Sequence, residues 1–379
     1  MKLNNISKLL SVMVISLLFI NCEQKVSEPQ PEVVEEDNSM FVDHNLTPET
    51  KALHQKLTEI AKKGVAFGHQ DSNAYGIGWK HEGFPSDSDI KKITGDHAAV
   101  FGFEIGHIEI GHEMNLDSLH FDLMKDLIKD TYQNGSIITI SWHADNPVTD
   151  GNSWDNTPAV PQILKGGELR AKFEGYVEKT ANFLLDLKDD NGNLIPVIFR
   201  PWHEMTGDWF WWGGKNRTSE EYHQLFRETV ELLRDKHNVH NLLYAYSPDK
   251  IYHNTEYMEN YPGDEWVDIL GIDIYDPGND QYVPMVTNAL ELIKYIAASK
   301  NKLFAFTETG KETIPEDNWW TESFYEATKG SGAVYALVWR NARTNHHYAP
   351  YPGHNSEANF KEYVSKEDVL LQNDVKNIK

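Results

Sequence analysis

Residues 194–204 read LIPVIFRPWHE, a run that is apolar over its first six residues and ends in Arg, Trp, His and Glu side chains. A strand that is apolar on successive residues is buried on both faces, which is typical of parallel sheets. Seven other runs share this pattern, and most of them also begin apolar and end in polar or aromatic residues. The eight runs span residues 64–72, 98–107, 136–145, 194–204, 241–249, 267–276, 303–310 and 333–340.

Amphipathic stretches separate these runs, for example over residues 169–187, 219–236 and 286–300. Thr218 and Glu221 have the spacing of a capping box at the start of one of these helices. Strand–helix alternation repeated eight times predicts an α/β fold, a (β/α)₈ TIM barrel over residues 41–379. The longest interval, between the third and fourth runs, predicts a loop over 146–167 that is rich in Pro, Gly and Asn.

The composition excludes several classes of protein. The 379 residues are 40% hydrophobic and 12% aromatic, which is too apolar for a disordered chain. The net charge is −23, from 35 basic and 58 acidic residues. Because so acidic a surface repels phosphate groups, nucleic acid is a poor partner. A neutral polymer remains a suitable one.

The N-terminal residues have the pattern of an export signal. Lys2 and Lys8 precede an apolar run over residues 9–20, which is too short to span a bilayer as a permanent helix. Cys22 is the only cysteine, and it stands where a bacterial lipoprotein signal is cut and the new N-terminus acylated. Asn21 departs from the small residue that usually precedes this cysteine. We expect a signal peptide over 1–21, a lipid anchor at Cys22 and export to the outer membrane of a Gram-negative cell, on its periplasmic or surface side.

Residues 22–40 form an acidic segment with two prolines and no hydrophobic periodicity. Such a composition predicts a solvated tether. The sequence therefore indicates one folded domain, most simply a monomer, that a lipid anchor and a spacer hold off a membrane that it does not span.

Two glutamates close apolar runs, Glu204 the fourth and Glu308 the seventh. In a barrel the C-terminal strand ends build the active site, so both are expected at one mouth. A pair of carboxylates about 5–5.5 Å apart is what cleavage of a glycosidic bond with retention needs. Aromatic residues around Glu204 predict a protonated acid, while Arg200 and Arg340 are candidates to hold Glu308 ionised as the nucleophile.

The tryptophan content also indicates a sugar ligand, because indole rings stack on the flat C–H faces of sugars. The chain has 11 tryptophans, and the run WFWW over 209–212 follows Glu204 closely. Four successive aromatic rings cannot all point into one core, so we expect some of them to be exposed.

These motifs resemble glycoside hydrolase family 26, whose characterised members are mostly β-mannanases. The resemblance covers the chain from about residue 41 to the end, and His203 before Glu204 is similar to that family, whereas most of its clan has Asn there. The matching segments are RPWHEMTGDWFWWG (200–213), GIDIYDPG (271–278), FTETG (306–310) and VWRN (338–341).

The resemblance implies a retaining β-mannanase that hydrolyses internal β-1,4 bonds of mannan, glucomannan or galactomannan. It implies Glu204 as acid/base and Glu308 as nucleophile, with no cofactor. His203 would contact the 2-hydroxyl of the sugar in the cleavage site, Arg200 would hold a carboxylate, and Trp209 would line the leaving-group side.

The other predicted sugar-site residues come from three strand ends and one loop. Asp273 and Tyr275 would support and orient the nucleophile. Trp339 would form the floor beneath the bound ring, with Arg340 beside it. The same resemblance places His143 in polar contact with that sugar and suggests Trp154 from the following loop. These residues complete the predicted substrate-binding set.

Other functions stay open at this point. The family also includes enzymes that release mannobiose from chain ends and enzymes for mixed-linkage β-glucan or β-1,3-xylan. Whether the loops over 106–118 and 146–167 wall off the cleft would decide between cleavage within chains and cleavage at chain ends. A tethered glycan-binding protein would keep the aromatic cleft without catalysis.

A metal centre is the rival interpretation of the 17 histidines. His107, Glu109 and His112, or the pair His346 and His347, have spacings that suit a metal. The zinc-protease motif is absent from the sequence, so we expect no metal centre.

Overall fold

The computed structural model describes residues 40–378. The predicted signal peptide, Cys22 and nearly all of the predicted tether lie outside these described residues. The described residues belong to one compact unit. Among the described residues, no helix has both the length and the apolar character that a membrane crossing requires.

Eight parallel strands form a closed barrel, as the sequence predicts. Neighbouring strands pair in chain order, and the eighth pairs with the first through Ala66 opposite Tyr335. In chain order the strands are β1 Val65–Gln70, β2 Val100–Glu104, β3 Ile137–Trp142, β4 Val197–Pro201, β5 Leu242–Tyr246, β6 Ile269–Tyr275, β7 Leu303–Gly310 and β8 Tyr335–Val338. A short parallel strand, Val369–Leu370, pairs with the beginning of β1, and Tyr75–Gly76 and Trp79–Lys80 form a small hairpin.

Most strands are shorter than the apolar runs that predicted them. β4 ends at Pro201, and β8 ends at Val338. The polar residues that complete each run therefore lie largely in the turns above the strands. In a barrel these turns form the mouth, where ligands bind.

Helices surround the barrel, and the first one covers its N-terminal end. Leu53, Leu57 and Ile60 of helix Pro48–Ala61 are buried in one cluster with strand residues such as Ile198. The helix therefore packs its apolar face against apolar strand residues at the barrel floor. The mouth at the opposite end is left as the open face.

The remaining helices follow the amphipathic stretches with small shifts at their ends. The predicted capping box is present, since Thr218 Oγ1 accepts from Glu221 N–H and Glu221 accepts from Thr218 N–H. The helices are Asp89–Thr94, Phe121–Gln133, Val160–Ile163, Arg170–Asp186, Ser219–Glu231, Asn254–Glu259, Tyr282–Lys300, Tyr325–Thr328, Glu357–Val364 and Gln372–Val375, with π-helical turns at Leu232–Lys236 and Trp320–Phe324 and a 3₁₀ turn at Asp264–Trp266.

The predicted loop over 146–167 is not wholly irregular. Within this loop, the side chain of Asn146 donates to the carbonyls of Asp155 at 2.9 Å and Thr157 at 2.8 Å. The loop then forms the helical turn Val160–Ile163, in which Val160 and Ile163 are buried. These internal bonds fix the loop beside the barrel mouth.

Candidate active site

Glu204 lies three residues beyond the end of β4, in a sharp turn. Trp202 and Glu204 have φ of +54° and +52°, a conformation that costs about 1 kcal/mol or more for residues other than glycine. The backbone N–H of Glu204 donates to the carbonyl of Ser247 at 2.7 Å, which anchors the turn to the end of β5. The strained turn holds the carboxyl group over the mouth.

Glu308 lies within β7, directly after a β-bulge. Ile272 of β6 pairs with Phe306, yet Asp273 pairs with Glu308, so Thr307 is an extra residue in β7. Bulges bend a strand and change the direction of the side chains that follow. Thr307 itself donates from Oγ1 to Asp273 Oδ1 at 2.7 Å. The bulge thus determines where Glu308 stands relative to Asp273.

Arg200 joins these two acidic residues. Its Nη1 donates to Asp273 Oδ2 at 2.6 Å, and its Nη2 donates to Glu308 Oε2. All three side chains are buried. Burial opposes the charge on Arg200, but Asp273 and Glu308 outweigh it and raise the pKa of the guanidinium. Arg200 therefore holds a carboxylate, as the resemblance implies.

Tyr275 supplies a further hydrogen bond to Glu308. Its hydroxyl donates to Glu308 Oε1 at 2.6 Å. Burial first, and then the charge of Glu308, raise the pKa of Tyr275 well above its ordinary value. The phenol keeps its proton at neutral pH and acts as a donor. Both oxygens of Glu308 are thus held by donors.

Glu204 has a different environment. Burial raises the pKa of its carboxyl well above the ordinary value, and the charges of Glu308, Asp273 and Asp249 raise it further, with Arg200 opposing them. Trp209 donates from Nε1 to Glu204 Oε2 at 2.7 Å. A raised pKa is what a carboxyl needs in order to stay protonated as a general acid.

Glu204, Asp273 and Glu308 each place one carboxylate oxygen within 4.8 Å of those of the other two. Three carboxylates at such distances could hold a cation, but Arg200 already pairs with two of them. For Glu204 and Glu308 this closeness fits the roughly 5–5.5 Å of retaining glycosidases better than the roughly 6.5–9.5 Å of inverting ones.

Two histidines stand beside these carboxyl groups. His143, just after β3, is buried with its Nε2 atom 3.2 Å from Nε2 of His203. The Nδ1 atom of His143 lies 2.7 Å from Glu104 Oε2. Glu104 was not singled out as a site residue from the sequence, although it stands at the end of β2, where polar residues were expected.

The aromatic residues divide between core and cleft. Trp209 is 37% exposed, whereas Phe210, Trp211 and Trp212 are buried, so one ring of the WFWW run is exposed. Trp154 is 49% exposed and stacks on His143, with ring centroids 5.3 Å apart and planes at 17°. Trp339, half-buried after β8, lies 6.2 Å from His143 between ring centroids. Three indole rings therefore surround the predicted sugar site.

Arg340 does not hold Glu308, and that expectation was wrong. Its Nη2 atom pairs with Asp117 Oδ1 at 2.7 Å, and its Nη1 donates to the hydroxyl of Tyr75 at 3.3 Å. Tyr75 in turn donates to Asp71 Oδ2 at 2.5 Å. Burial and the nearby charge of Asp117 raise the pKa of Asp71 to about 8. Arg340 instead ties the loop after β2 to the end of β8.

The residues weighed as metal ligands have protein partners. Glu109 accepts from Trp142 Nε1 at 3.0 Å and from Asp145 N–H at 2.6 Å. His346 Nδ1 lies 2.7 Å from Glu312 Oε1, and His347 Nε2 lies 3.2 Å from a nitrogen of His354. These contacts engage Glu109, His346 Nδ1 and His347 Nε2 within the protein, whereas His347 Nδ1 is buried without a hydrogen-bond partner among the described residues.

Comparison with known proteins agrees with this geometry. The model of the family described as glycosyl hydrolase family 26 matches residues 42–349. A GH26 β-mannanase from Bacteroides ovatus superposes with a TM-score of 0.85 at 41% identity, covering 88% of this chain and 98% of that one.

Two curated relatives carry the name mannan endo-1,4-beta-mannosidase. The protein of Bifidobacterium adolescentis is 32% identical over 355 residues, which are 87% of this chain and 35% of that protein. The protein of Bacillus subtilis is 31% identical over 286 residues, which are 71% of this chain and 74% of that protein. The chain thus spans about a third of the length of the Bifidobacterium relative.

Proposed function

The chain belongs to glycosyl hydrolase family 26, and on that basis we propose that it is a retaining β-mannanase that hydrolyses internal β-1,4 bonds of mannan, glucomannan or galactomannan. One observation carries this proposal. Glu204 and Glu308 face each other across the mouth, one with a raised pKa and the other held by Arg200 and Tyr275. This difference in environment assigns them different roles.

In the first step, a Glu308 oxygen attacks the anomeric carbon while Glu204 gives its proton to the glycosidic oxygen. The carbon–oxygen bond breaks, the shortened chain leaves, and the sugar is bonded to Glu308. Trp209 donates to Glu204 Oε2, so its ring stands beside the leaving oxygen. The hydrogen bonds from Tyr275 and Arg200 fix the orientation of the Glu308 carboxylate toward the sugar.

In the second step, Glu204 is a carboxylate and takes a proton from water. The water oxygen attacks the same carbon, the bond to Glu308 breaks, and Glu204 is again protonated. Two displacements at one carbon return the original anomeric configuration. Since Glu204 changes its protonation state within the cycle, its negative neighbours Asp273 and Asp249 favour its return to the acid form.

Mannan as the substrate is supported by the names of the relatives and by the three indole rings around His143 and Glu204. The test is a product time course on linear β-1,4-mannan, with mannopentaose and mixed-linkage β-glucan beside it. A ladder of oligosaccharides from mannan is expected. Mannobiose alone from the earliest time points would replace the internal mode of cleavage by action at chain ends.

Activity on the β-glucan alone, or on a β-1,3-xylan, would keep the two glutamates and overturn the substrate. No hydrolysis of any of these polymers, together with retained binding of mannan, would favour a glycan-binding protein instead.

The cellular placement of the enzyme is a separate proposal. The signal pattern over 1–21 and Cys22 support an enzyme that a lipid anchors to the outer membrane of a Gram-negative cell. The acidic segment over 22–40 supports a spacer between that membrane and the barrel.

A further inference from the structure

Glu104, at the end of β2, is a fully buried carboxylate that accepts four hydrogen bonds. Its Oε1 accepts from the backbone N–H of Gly106 at 2.6 Å and of His143 at 2.8 Å. Its Oε2 accepts from Ser141 Oγ at 2.6 Å and from His143 Nδ1 at 2.7 Å. Burial would raise the pKa of Glu104, but His143 and these donors outweigh it and lower the pKa. An ionised carboxylate can only accept, so His143 carries a proton on Nδ1.

The contact between the two histidines continues this chain of hydrogen bonds. The Nε2 atoms of His143 and His203 are 3.2 Å apart, so one donates and the other accepts. Burial disfavours charge on His143, but Glu104 and Glu308 outweigh burial and raise its pKa. Burial, Arg200 and His143 lower the pKa of His203 well below its ordinary value. His143 is therefore the donor, and neutral His203 keeps its own proton on Nδ1.

We propose that Glu104 is a positioning residue for the glycosidase reaction: it fixes the imidazolium of His143, which in turn fixes the ring and the tautomer of His203 next to the acid Glu204. This inference rests on the proposed function for its catalytic consequence. The hydrogen-bond chain itself does not depend on which sugar is cleaved. Buried carboxylates that orient a functional histidine through its second nitrogen are a general device for fixing tautomer and ring angle.

The substitution Glu104→Gln tests this chain because the new side chain has nearly the same shape. The backbone N–H groups of Gly106 and His143 cannot become acceptors, so the amide oxygen must face them. The amide NH₂ then faces Ser141 Oγ and His143 Nδ1. A hydroxyl can turn to accept from it, but His143 can accept only after it loses the proton on Nδ1. The variant should therefore hold His143 as the neutral Nε2–H tautomer.

Nitrogen NMR of the intact protein with ¹⁵N-labelled histidine measures directly which ring nitrogens of His143 and His203 carry protons. In the unsubstituted protein at neutral pH, His143 should show two protonated ring nitrogens and His203 one, on Nδ1. In Glu104→Gln, His143 should show a bare Nδ1. The resonances are assigned through their loss in His143→Asn and His203→Asn. An unchanged His143 spectrum in Glu104→Gln would overturn the proposal.

Kinetics on mannan test the catalytic consequence. Because small errors in position are costly in catalysis, kcat/KM of Glu104→Gln should fall by about 10-fold or more, mostly in kcat. Glu228→Gln is the matched control: Glu228 is also a buried carboxylate, on helix Ser219–Glu231 outside the barrel, and its Oε2 accepts both Lys165 N–H at 3.1 Å and Arg170 Nη1, so one amide oxygen can keep both bonds. It should leave the histidine spectra and kcat unchanged, and wild-type kinetics in Glu104→Gln would contradict the positioning role.

Failure of the proposed substrate and failure of the positioning role give different results. If the unsubstituted enzyme does not cleave mannan, the proposed substrate is wrong, and the NMR comparison still decides whether Glu104 fixes His143. If mannan is cleaved and the spectra do not change in Glu104→Gln, the positioning proposal alone is wrong.

Discussion

Trp209 donates a hydrogen bond from its indole Nε1 to Glu204 Oε2 at 2.7 Å. The exposed ring of the WFWW run is thus held against the carboxyl that we assign as the acid. The same residue offers an indole face to solvent and a polar edge to Glu204. In the proposed mechanism, Trp209 would therefore couple contact with the sugar chain to placement of the proton.

Glu204→Ala should nearly abolish cleavage of mannan but spare aryl mannosides with very good leaving groups. Such leaving groups depart without a proton, so the first step no longer needs the acid. Steady-state kinetics on mannan and on an activated aryl β-mannobioside measure the two effects. Glu308→Ala is the comparison, since loss of the nucleophile should abolish both. An equal loss on both substrates in Glu204→Ala would contradict the role assigned to Glu204.

The first sugar released should be the β-anomer. Because Glu204, Asp273 and Glu308 have oxygens within 4.8 Å of one another, the space between the two glutamates suits direct attack by Glu308 and not by an intervening water. Proton NMR of mannopentaose hydrolysis, recorded before mutarotation, reads the configuration. The α-anomer in the earliest spectra would show inversion and exclude the covalent mechanism.

Asp249→Asn should move the alkaline limb of the kcat/KM profile to lower pH. Glu204 must be protonated to act as an acid, and its raised pKa extends that form to higher pH. Removing the negative charge of Asp249 lowers the pKa of Glu204, so the proton is lost at lower pH. Asp208→Asn is the control, because Asp208 is paired with Lys215. A limb that stays in place in Asp249→Asn would mean that Asp249 does not tune the acid.

Arg340→Met should destabilise the fold. It leaves Asp117 and Asp71 as neighbouring buried carboxyl groups without their cation, and breaking such a pair costs roughly 3 kcal/mol. Urea unfolding monitored by tryptophan fluorescence gives the difference in the free energy of unfolding. Arg343→Met provides the comparison, since Arg343 is exposed and donates to Asn345. A change in Arg340→Met no larger than in Arg343→Met would show that the pair does not hold the loop after β2.

Cys22→Ala should release the protein from membranes. Residue 22 lies outside the described residues, so this prediction rests on the signal pattern alone. Fractionation of cells that express the full chain, with labelling by a radioactive fatty acid, measures the anchor. The full chain with Glu204→Ala keeps the cysteine and should remain in the membrane fraction. Equal fractionation of both would show that Cys22 is not the site of lipidation.

The fold was accessible from the sequence because its signal is local. Eight apolar runs separated by amphipathic stretches predict the barrel, and each run contains a strand of the structure. The ends of the strands were predicted less well. Glu204 was expected at the end of a strand, but it lies in a turn. Trp202 and Glu204 have positive φ there, a conformation that is not expected from these residue types.

The active site, too, was predicted from the sequence only in part. Glu204, Glu308, Arg200 and Tyr275 were predicted, and the structure brings them together. Which arginine holds Glu308 was not decided by residue type, because Arg200 near the end of β4 and Arg340 just after β8 both stand at the mouth end of an apolar run. Only the positions of β4 and β8 around the barrel separate them, and Arg340 pairs with Asp117.

The barrel, its polar end and the two glutamates follow from the amino-acid sequence, because strand periodicity and strand order are properties of neighbouring residues. Three features of the site become visible only in the folded chain: the bulge at Thr307, the contact of Trp209 with Glu204 and the bonds from Glu104 to His143. Each of these joins residues far apart in the chain or depends on a local backbone turn. Electrostatic roles depend on distances of a few ångströms, and those distances exist only once the barrel has closed.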